Sequence, residues 1–527
     1  MKNANYSNTW IDMEVPGSGY DLKIIRTYNS RSLFSGYFGF GWCSDFETRI
    51  EVNAEGNIKL TECGAGMEIL YSPREVTKKD VDTTIAKIIA QMKAEKKVGR
   101  DDAFYKKLAI DLAEDADQRS KYSRQYRLIQ SVKEGTAFYA NGKEVESFVL
   151  NKNFYTRTLP DGTNQRFSLQ GRLTHKYDKN GNFLKFDYDK DLVSQIEDNN
   201  GRRLSLKYYP NKKIKSISGP NGLLVEYKFA NLDDLSWVNN AWKKVYTYEY
   251  DDLHNLVKAT WPDKTSIVIK YDKKKDWVMQ FQDRSKCVET YGYEFSTSDP
   301  ENHYWSKVKK VCGKQVVADN KYEFWYKKRS DGESYLQRLL TNVNGSVTDI
   351  SYHETFGRPV SIRKDNDRST VEYYPNGQVK AKANVNSRLE YSYDAKSKKV
   401  SEVKTILYNN KGQKVSTRVS QFRYDAKGNL TFGQNSDGQK VAMTYDNKGR
   451  IASITDQAKK IVQIQYEDRY GKPAFVTRPG LGTIKVSYKA NGQIDKAISP
   501  EGPSVAMQVA STFNNLLDVI APATNEI

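Results

Sequence analysis

No run of about 18 apolar residues occurs in the 527-residue chain, and a mean hydropathy of −0.75 leaves no candidate for a membrane-spanning helix. Cysteine is scarce: Cys43, Cys63, Cys287 and Cys312 show no C-x-x-C spacing, which removes zinc-ribbon and thioredoxin-type readings. Histidine is equally thin. His175, His254, His303 and His353 lie 79, 49 and 50 residues apart, with no pair that would share a helix face for a metal. No G-x-S-x-G, P-loop or dinucleotide fingerprint follows a strand-like run; Gly39-x-Gly41 precedes Trp42 and Cys43 in β-like sequence and reads as tight packing. No cofactor, metal site or catalytic set is expected, and the chain reads as non-enzymatic. The carboxylate pairs Asp101-Asp102 and Asp251-Asp252 fall at a helix start and a turn. A glycosidase needs two carboxylates across one cleft, and separate repeats could supply them, so a carbohydrate-active enzyme stays an alternative. The opening Met1-Lys2-Asn3-Ala4-Asn5-Tyr6 has no apolar core of a secretory signal.

What the chain has in excess is positive charge and tyrosine. Lys and Arg number 83 against 65 Asp and Glu, a formal +18, and 36 tyrosines are about twice the ordinary share. The tyrosines are periodic. Tyr424-Asp425, Tyr445-Asp446, Tyr466 and Tyr488 are spaced 21, 21 and 22 residues, and Tyr250-Asp251 to Tyr271-Asp272 is again 21. Earlier members such as Tyr188-Asp189 and Tyr208 are 20 apart. Such a period signals a repeat architecture. Within a unit, Phe422 and Tyr424 share one strand face, Asp425 closes an Asx turn, and Gly428 or Gly449 supplies a positive φ. Leu430, Ile451 and Ile494 then open the return strand toward the core. Asn200-Gly201, Asn221-Gly222 and Asp437-Gly438 read as type I′ hairpin dipeptides. The unit is a β-hairpin. About 17 units between 131 and 500 make a ribbon that strand twist must curl.

The fold expectation is therefore mainly β: a spiralled antiparallel sheet of hairpins forming a curled shell, with a helical hairpin inserted. Boundaries are expected at 1–73, an N-terminal β domain; 74–130, the insertion; 131–500, the repeats; and 501–527, a tail or the start of a further segment. Val81, Ile85, Ile88, Ile89 and Met92, then Phe104, Leu108, Asp111-Leu112 and Asp115, carry a 3.6-residue period, with a break at Gly99 and an N-cap at Asp101 or Asp102. Helix is expected mainly within 76–126.

The stretch Tyr28-Asn29-Ser30, followed by Gly39-Phe40-Gly41-Trp42, resembles the opening signature of bacterial Rhs proteins. The Tyr-Asp units resemble the YD repeats of the same family, which includes the B and C subunits of Tc toxins and the animal teneurins. The resemblance implies a large hollow β-shell with aromatics toward the lumen. Full-length polymorphic-toxin members carry a C-terminal autoprotease core and an enclosed toxin; neither is recognised after Pro500, so the chain reads as a short form. The expected role is an exported scaffold, adhesin or binding protein, secreted, periplasmic or at the cell surface. The alternative is a shell enclosing a toxin or other polypeptide.

Lys273-Lys274-Lys275, Lys307/Lys309/Lys310, Lys327-Lys328-Arg329 and Lys396/Lys398/Lys399 lie next to predicted turns, where Lys guards against edge-to-edge aggregation. Carbohydrate or an anionic surface and a protein cargo are candidate partners; nucleic acid is disfavoured. One disulfide is expected. An antiparallel hairpin pairs residues of constant sum, and 287 + 312 is 599, twice the centre of the turn at Asp299-Pro300, so Cys287 should oppose Cys312. Cys43 and Cys63 do not pair directly across the turn at Asn53–Asn57, and their pairing stays open.

Overall fold

The computed structural model describes residues 4–62, 67–74, 77–96, 100–129, 132–140, 143, 145–328, 334–365, 367–489 and 492–524; Cys63, Gly99 and Arg329 lie outside them. The protein is mainly β and divides into two compact units, 44–176 and a larger one formed by 1–43 with 177–527.

In the larger unit, 28 described strands from Phe183–Asp189 to Ile494–Ile498 follow one another as an antiparallel meander, each paired with its sequence neighbour. Three linked devices produce the 21-residue period. First, the register slips at the tyrosine: Tyr250 opposes Leu256 although Glu249 opposes Lys258, and the same slip recurs at Tyr271, Tyr424, Tyr445, Tyr466 and Tyr488. Such a bulge re-aims a side chain. Second, the re-aimed hydroxyl donates to the carbonyl of the residue that opens the preceding return strand. Tyr250 reaches Leu235 at 2.9 Å, Tyr271 Leu256 at 3.1 Å, Tyr445 Leu430 at 2.7 Å, Tyr466 Ile451 at 2.8 Å and Tyr488 Pro473 at 2.7 Å. Tyr424 does the same to Val400 at 2.8 Å. A part-buried phenol thus keeps its hydrogen bond while tying one hairpin to the one before it. Third, the following Asp closes the turn. Asp425 accepts from the backbone of Lys427 and Asn429, both at 2.8 Å, and Asp446 from Lys448 and Arg450 at 3.0 and 2.9 Å. Asp251 and Asp272 cap their turns likewise. Gly428 and Gly449 complete the turns at φ +77° and +75°.

Three local expectations are corrected. Asp189 stays in the ladder opposite Leu192, because the chain there reverses over Lys190-Asp191 alone. Of the three expected type I′ dipeptides, only Asn221-Gly222 has both residues at positive φ. At Gly201 and Gly438 an Asx acceptor two residues before the dipeptide's glycine partner imposes a longer loop: Asp198 takes the amides of Asn200 and Arg202, and Asn435 those of Asp437 and Gln439. Leu430 and Ile451 pack on the core, whereas Ile494, in the last described strand, is 60% exposed.

The meander comes back on itself. Lys179 donates to the carbonyl of Gly428 at 3.2 Å, 249 residues on, and Asn429 donates to Asn180 at 3.3 Å. One revolution therefore takes the 21 strands from Phe183–Asp189 to Lys414–Tyr424, about ten hairpins, and turns of successive coils touch. A β-carbon on Gly449 would overlap the Asn180 amide, so the seam needs glycine there twice over, for space and for φ.

The insertion, in the smaller unit, has helices α1 (Lys78–Ala94), α2 (Asp102–Glu114) and α3 (Ala116–Gln125). Ile85, Ile88 and Met92 of α1 meet Tyr105, Leu108 and Leu112 of α2 in a separate core, to which Tyr122 and Tyr126 add. Asp101 caps α2 through the Phe104 amide at 2.8 Å. The helical run does not continue through Asp115, whose extended backbone lets its carboxylate cap α3 at Gln118, 2.8 Å away. A further helix, α4 (Pro503–Thr524), lies outside the span 76–126 expected to hold the helices.

Candidate binding face

The tyrosine-bearing face of the larger unit is covered at both ends and part-open between. At one end residues 4–43 lie on it. Trp10 packs edge-on to Tyr248 at 5.7 Å, Tyr6 stacks on Phe281 at 5.8 Å, and Phe38 meets Tyr227 at 5.3 Å. Beneath them, Arg26 pairs with Asp12, both essentially sealed from solvent, and Tyr227 donates to Asp12 at 2.8 Å while Arg26 reaches the Tyr248 hydroxyl at 3.1 Å. The Arg26 guanidinium also lies 4.6 Å over Trp42.

The signature residues supply this docking. Tyr28 accepts from the Leu256 amide at 2.9 Å, the Asn29 amide donates to Gly41 at 2.9 Å, and the Ser30 hydroxyl takes the Tyr6 amide at 2.9 Å. Trp42 donates to the Tyr250 hydroxyl at 2.8 Å. Gly39 and Gly41 have positive φ, and a β-carbon on Gly39 would overlap the Asp233 carbonyl. The motif is thus a clamp onto the first repeats.

At the other end α4 covers the face. Val519 and Ile520 enter one core with Tyr391, Val403, Phe422, Met443 and Ile454. Gly433 makes room for this: a β-carbon there would sit 2.9 Å from Ile520 Cγ2. The amphipathic signal for α4 was legible in Val505, Val509, Leu516 and Ile520, spaced by four, seven and four after Pro503.

Between the two covers run seven strands, Val288–Phe295 to Asp367–Tyr373. Of their inward side chains, Tyr291, Val308, Tyr322 and Phe324 are buried, whereas Tyr304, Tyr326, Leu339, Ile350, Tyr352 and Ile362 are half-buried and Phe295 is 37% exposed. Tyr304 stacks on Phe324 at 4.9 Å and on Tyr326 at 6.0 Å, and Phe356 meets Tyr373 at 5.6 Å. Burial pushes the phenols of Tyr304, Tyr352 and Tyr373 above their ordinary value, with the Arg31 charge opposing it at Tyr304. These rings are therefore neutral, apolar surface with hydroxyl tips at physiological pH.

The same hairpins carry the cystine. Cys287 and Cys312 are bonded with Cα atoms 4.3 Å apart, next to the pair Val288 and Val311. Of the basic clusters, Lys273–Lys275 and Lys396–Lys399 lie at turns and Lys307 and Lys309 face the opposite, solvent side, whereas Lys310 stands on the tyrosine-bearing face, paired with Asp283 and Glu289; Lys307 pairs with Glu294, and Lys275 covers Trp277 at 4.5 Å. His254 and His303 each contact a carboxylate, Asp234 at 2.9 Å and Glu323 at 2.8 Å. Among the described residues no group of three metal-ligating side chains is found, and no helix is long and apolar enough to cross a membrane.

A coiled YD-hairpin sheet with one aromatic face defines a class of shell proteins, and sequence comparison places the chain within it. The family model described as Teneurin YD-shell matches residues 138–526, so the chain belongs to that family; a domain of unknown function, DUF6531, matches residues 4–71. Among solved structures it is similar to the TcdB2-TccC3-TEV crystal structure, at 12% identity over 96% of this chain and 28% of that chain, with a TM-score of 0.44. The Photorhabdus luminescens Tc holotoxin pore matches at 10% identity over 95% of this chain and 30% of that one, with a TM-score of 0.36. The chain spans less than a third of the length of either. No curated protein matches significantly.

Proposed function

We propose that the protein is a non-enzymatic YD-repeat shell that holds a polypeptide against its tyrosine-bearing face. The observation that carries this reading is the part-open aromatic stretch between residues 4–43 and α4, where Tyr304, Tyr326 and Tyr352 are half-buried beside the buried Tyr291, Tyr322 and Phe324. Seven strands at ~4.8 Å spacing make it about 30 Å wide, too broad for a small molecule and suited to an extended or partly unfolded chain. Rings with hydroxyl tips contact apolar side chains while offering hydrogen bonds to a strand's backbone. Family membership supports the shell, and the cystine suits an oxidising, extracellular or periplasmic setting. A photo-cross-linking residue at Tyr326 or Tyr352 in natively purified protein should capture a co-purifying polypeptide, and one at Lys307 on the opposite side should not. Equal capture from both sides, or none from Tyr326 and Tyr352, would sink this reading.

A second reading, an exported scaffold or adhesin for anionic surfaces, is favoured by the net charge of +18. It requires retention on heparin that falls steeply with salt; salt-independent flow-through removes it.

A further inference from the structure

Away from the tyrosine repeats, the smaller unit holds a cavity of about 190 Å³, bounded by the loop Asn53–Asn57, the chain leading into α1 and the turn at Lys133–Thr136. Its lining is fixed. The Asn53 side chain takes the amides of Glu55 and Asn57 at 3.1 and 2.9 Å, the same Asx closure that the repeats use. From α3, Arg119 donates to the Glu55 carboxylate at 2.8 Å and to the Leu112 carbonyl at 2.6 Å. Arg74 and Asp80 form a bidentate pair at 2.7 and 2.9 Å, and Asp80 also takes the Thr77 amide at 2.8 Å, so both are spent. Phe138, sealed from solvent, supplies an apolar side. Three charged or amide groups of the lining remain uncommitted among the described residues. Asn57 is 4% exposed, yet its amide nitrogen has no hydrogen-bond partner. Glu55, equally buried, has one carboxylate oxygen engaged by Arg119 and the other left over. Lys133 stands exposed at its turn with no acidic partner.

We propose that this cavity binds a small α-amino acid as its zwitterion, the carboxylate taken by Asn57 and Lys133 and the ammonium by Glu55. A buried amide N–H without an acceptor bears its full desolvation cost, which a ligand oxygen relieves. The carboxylate oxygen that Arg119 leaves over accepts from an ammonium in the same way. The uncommitted charges are one of each sign, so a zwitterion completes both. A phosphate would instead face Glu55 and a simple amine would face Lys133, each leaving one charge without its counterpart. Volume sets the size: the cavity holds about six waters at ~30 Å³ each and falls below the ~300–1,000 Å³ of drug-sized sites. That suits glycine, alanine, serine or threonine, with the Thr136 hydroxyl and the Phe138 ring as a polar and an apolar neighbour for the side chain. The site belongs to the smaller unit and does not depend on the polypeptide-holding role.

The test is isothermal titration calorimetry on the full chain with glycine, L-alanine, L-serine and L-threonine, and with acetate, ethylamine and inorganic phosphate as probes of a single charge sign. At least one amino acid should bind with a dissociation constant in the millimolar range or below, about tenfold or more tighter than every single-sign probe. Asn57→Asp, which puts a carboxylate where the donor stood, and Lys133→Ala should each weaken it about tenfold or more. Lys133→Ala, at an exposed turn, carries the test if Asn57→Asp lowers the melting temperature. Lys307→Ala, in the larger unit, should leave binding unchanged. Absence of binding by all four amino acids, equal or tighter binding of acetate, ethylamine or phosphate, or amino-acid binding that survives Lys133→Ala would overturn the assignment.

Discussion

A single aspartate per unit does two jobs that follow from its short acidic side chain: it replaces the backbone acceptor a tight turn lacks, and it does so as a charge. Burial alone would raise the Asp425 and Asp446 carboxyls. Donors outweigh it, namely the Asn429 side chain and amide at Asp425 and the Arg450 amide and guanidinium at Asp446, so both sit below the ordinary range. A carboxyl with a lower pKa when folded binds fewer protons than the unfolded chain. Its stabilisation is complete above the unfolded value of about 3.9 and is lost as pH falls through the folded value. The melting temperature should therefore drop below about pH 4, and Asp446→Asn should melt lower at pH 7 yet fall less steeply toward pH 3. Circular dichroism melts at the two pH values check this, and an unchanged slope would count against it. The Asp12–Arg26 pair makes a different prediction. Because both groups are sealed among Trp10, Trp42, Tyr227 and Tyr248, Arg26→Met should cost about 3–5 kcal/mol by stranding Asp12, and Asp12→Leu/Arg26→Met together should cost less than Arg26→Met alone. Denaturant melts of the single and double variants measure the difference.

At the scale of elements, two attachments hold hairpins that the ladder alone would leave loose. The Cys287–Cys312 bond closes a separation of 25 residues, and Cys287→Ser/Cys312→Ser should lower stability by about 3 kcal/mol, chiefly by freeing the unfolded chain. An equal loss on adding reductant to the native protein, and none in the double variant, would link the two measurements. Helix α4 contributes through packing instead. Ile520 is 8% exposed against Gly433 and Phe422, so Ile520→Ala should cost about 2 kcal/mol. It should also raise amide exchange in Lys414–Tyr424 and Leu430–Asn435 more than in the N-terminal repeats. Uniform exchange across the sheet would show that α4 is not a local cover.

At the scale of the whole larger unit, the coil is held where turns of successive revolutions meet, and glycine decides how closely. Gly428 and Gly449 occupy equivalent turn positions with nearly equal φ, but only at Gly449 would a β-carbon overlap Asn180; at Gly428 the nearest neighbour is Lys399 Cε at 3.9 Å. Gly428→Ala therefore isolates the backbone strain, about 1–2 kcal/mol, while Gly449→Ala adds displacement of the seam. Small-angle scattering should show a larger radius of gyration for Gly449→Ala than for Gly428→Ala, with the β content of both unchanged. Matching radii would mean that the seam does not hold the coil.

Residues close in the chain settled what was legible beforehand. The 21-residue period, the Asx turns at Asp425 and Asp446 and the helix face of Ile85, Ile88 and Met92 all rest on contacts within a few positions, which spacing and side-chain chemistry determine. The register opposite the cystine belongs here too, since one turn sets it. Part of what the tertiary structure decided involves partners about 180 to 250 residues apart. No local pattern states that Tyr28 will meet Leu256, that Lys179 will reach Gly428, or that the signature glycines leave room for Asp233. The latch of each tyrosine onto the preceding hairpin depends on the bulge, which shifts a side chain by one register position and leaves no mark in the hydrophobic alternation. Coverage of the aromatic face depends on where α4 and residues 4–43 come to rest. Periodicity determines that such a face exists; only the return of the chain onto itself decides which part of it stays open, because burial is a property of surfaces brought together across the whole coil.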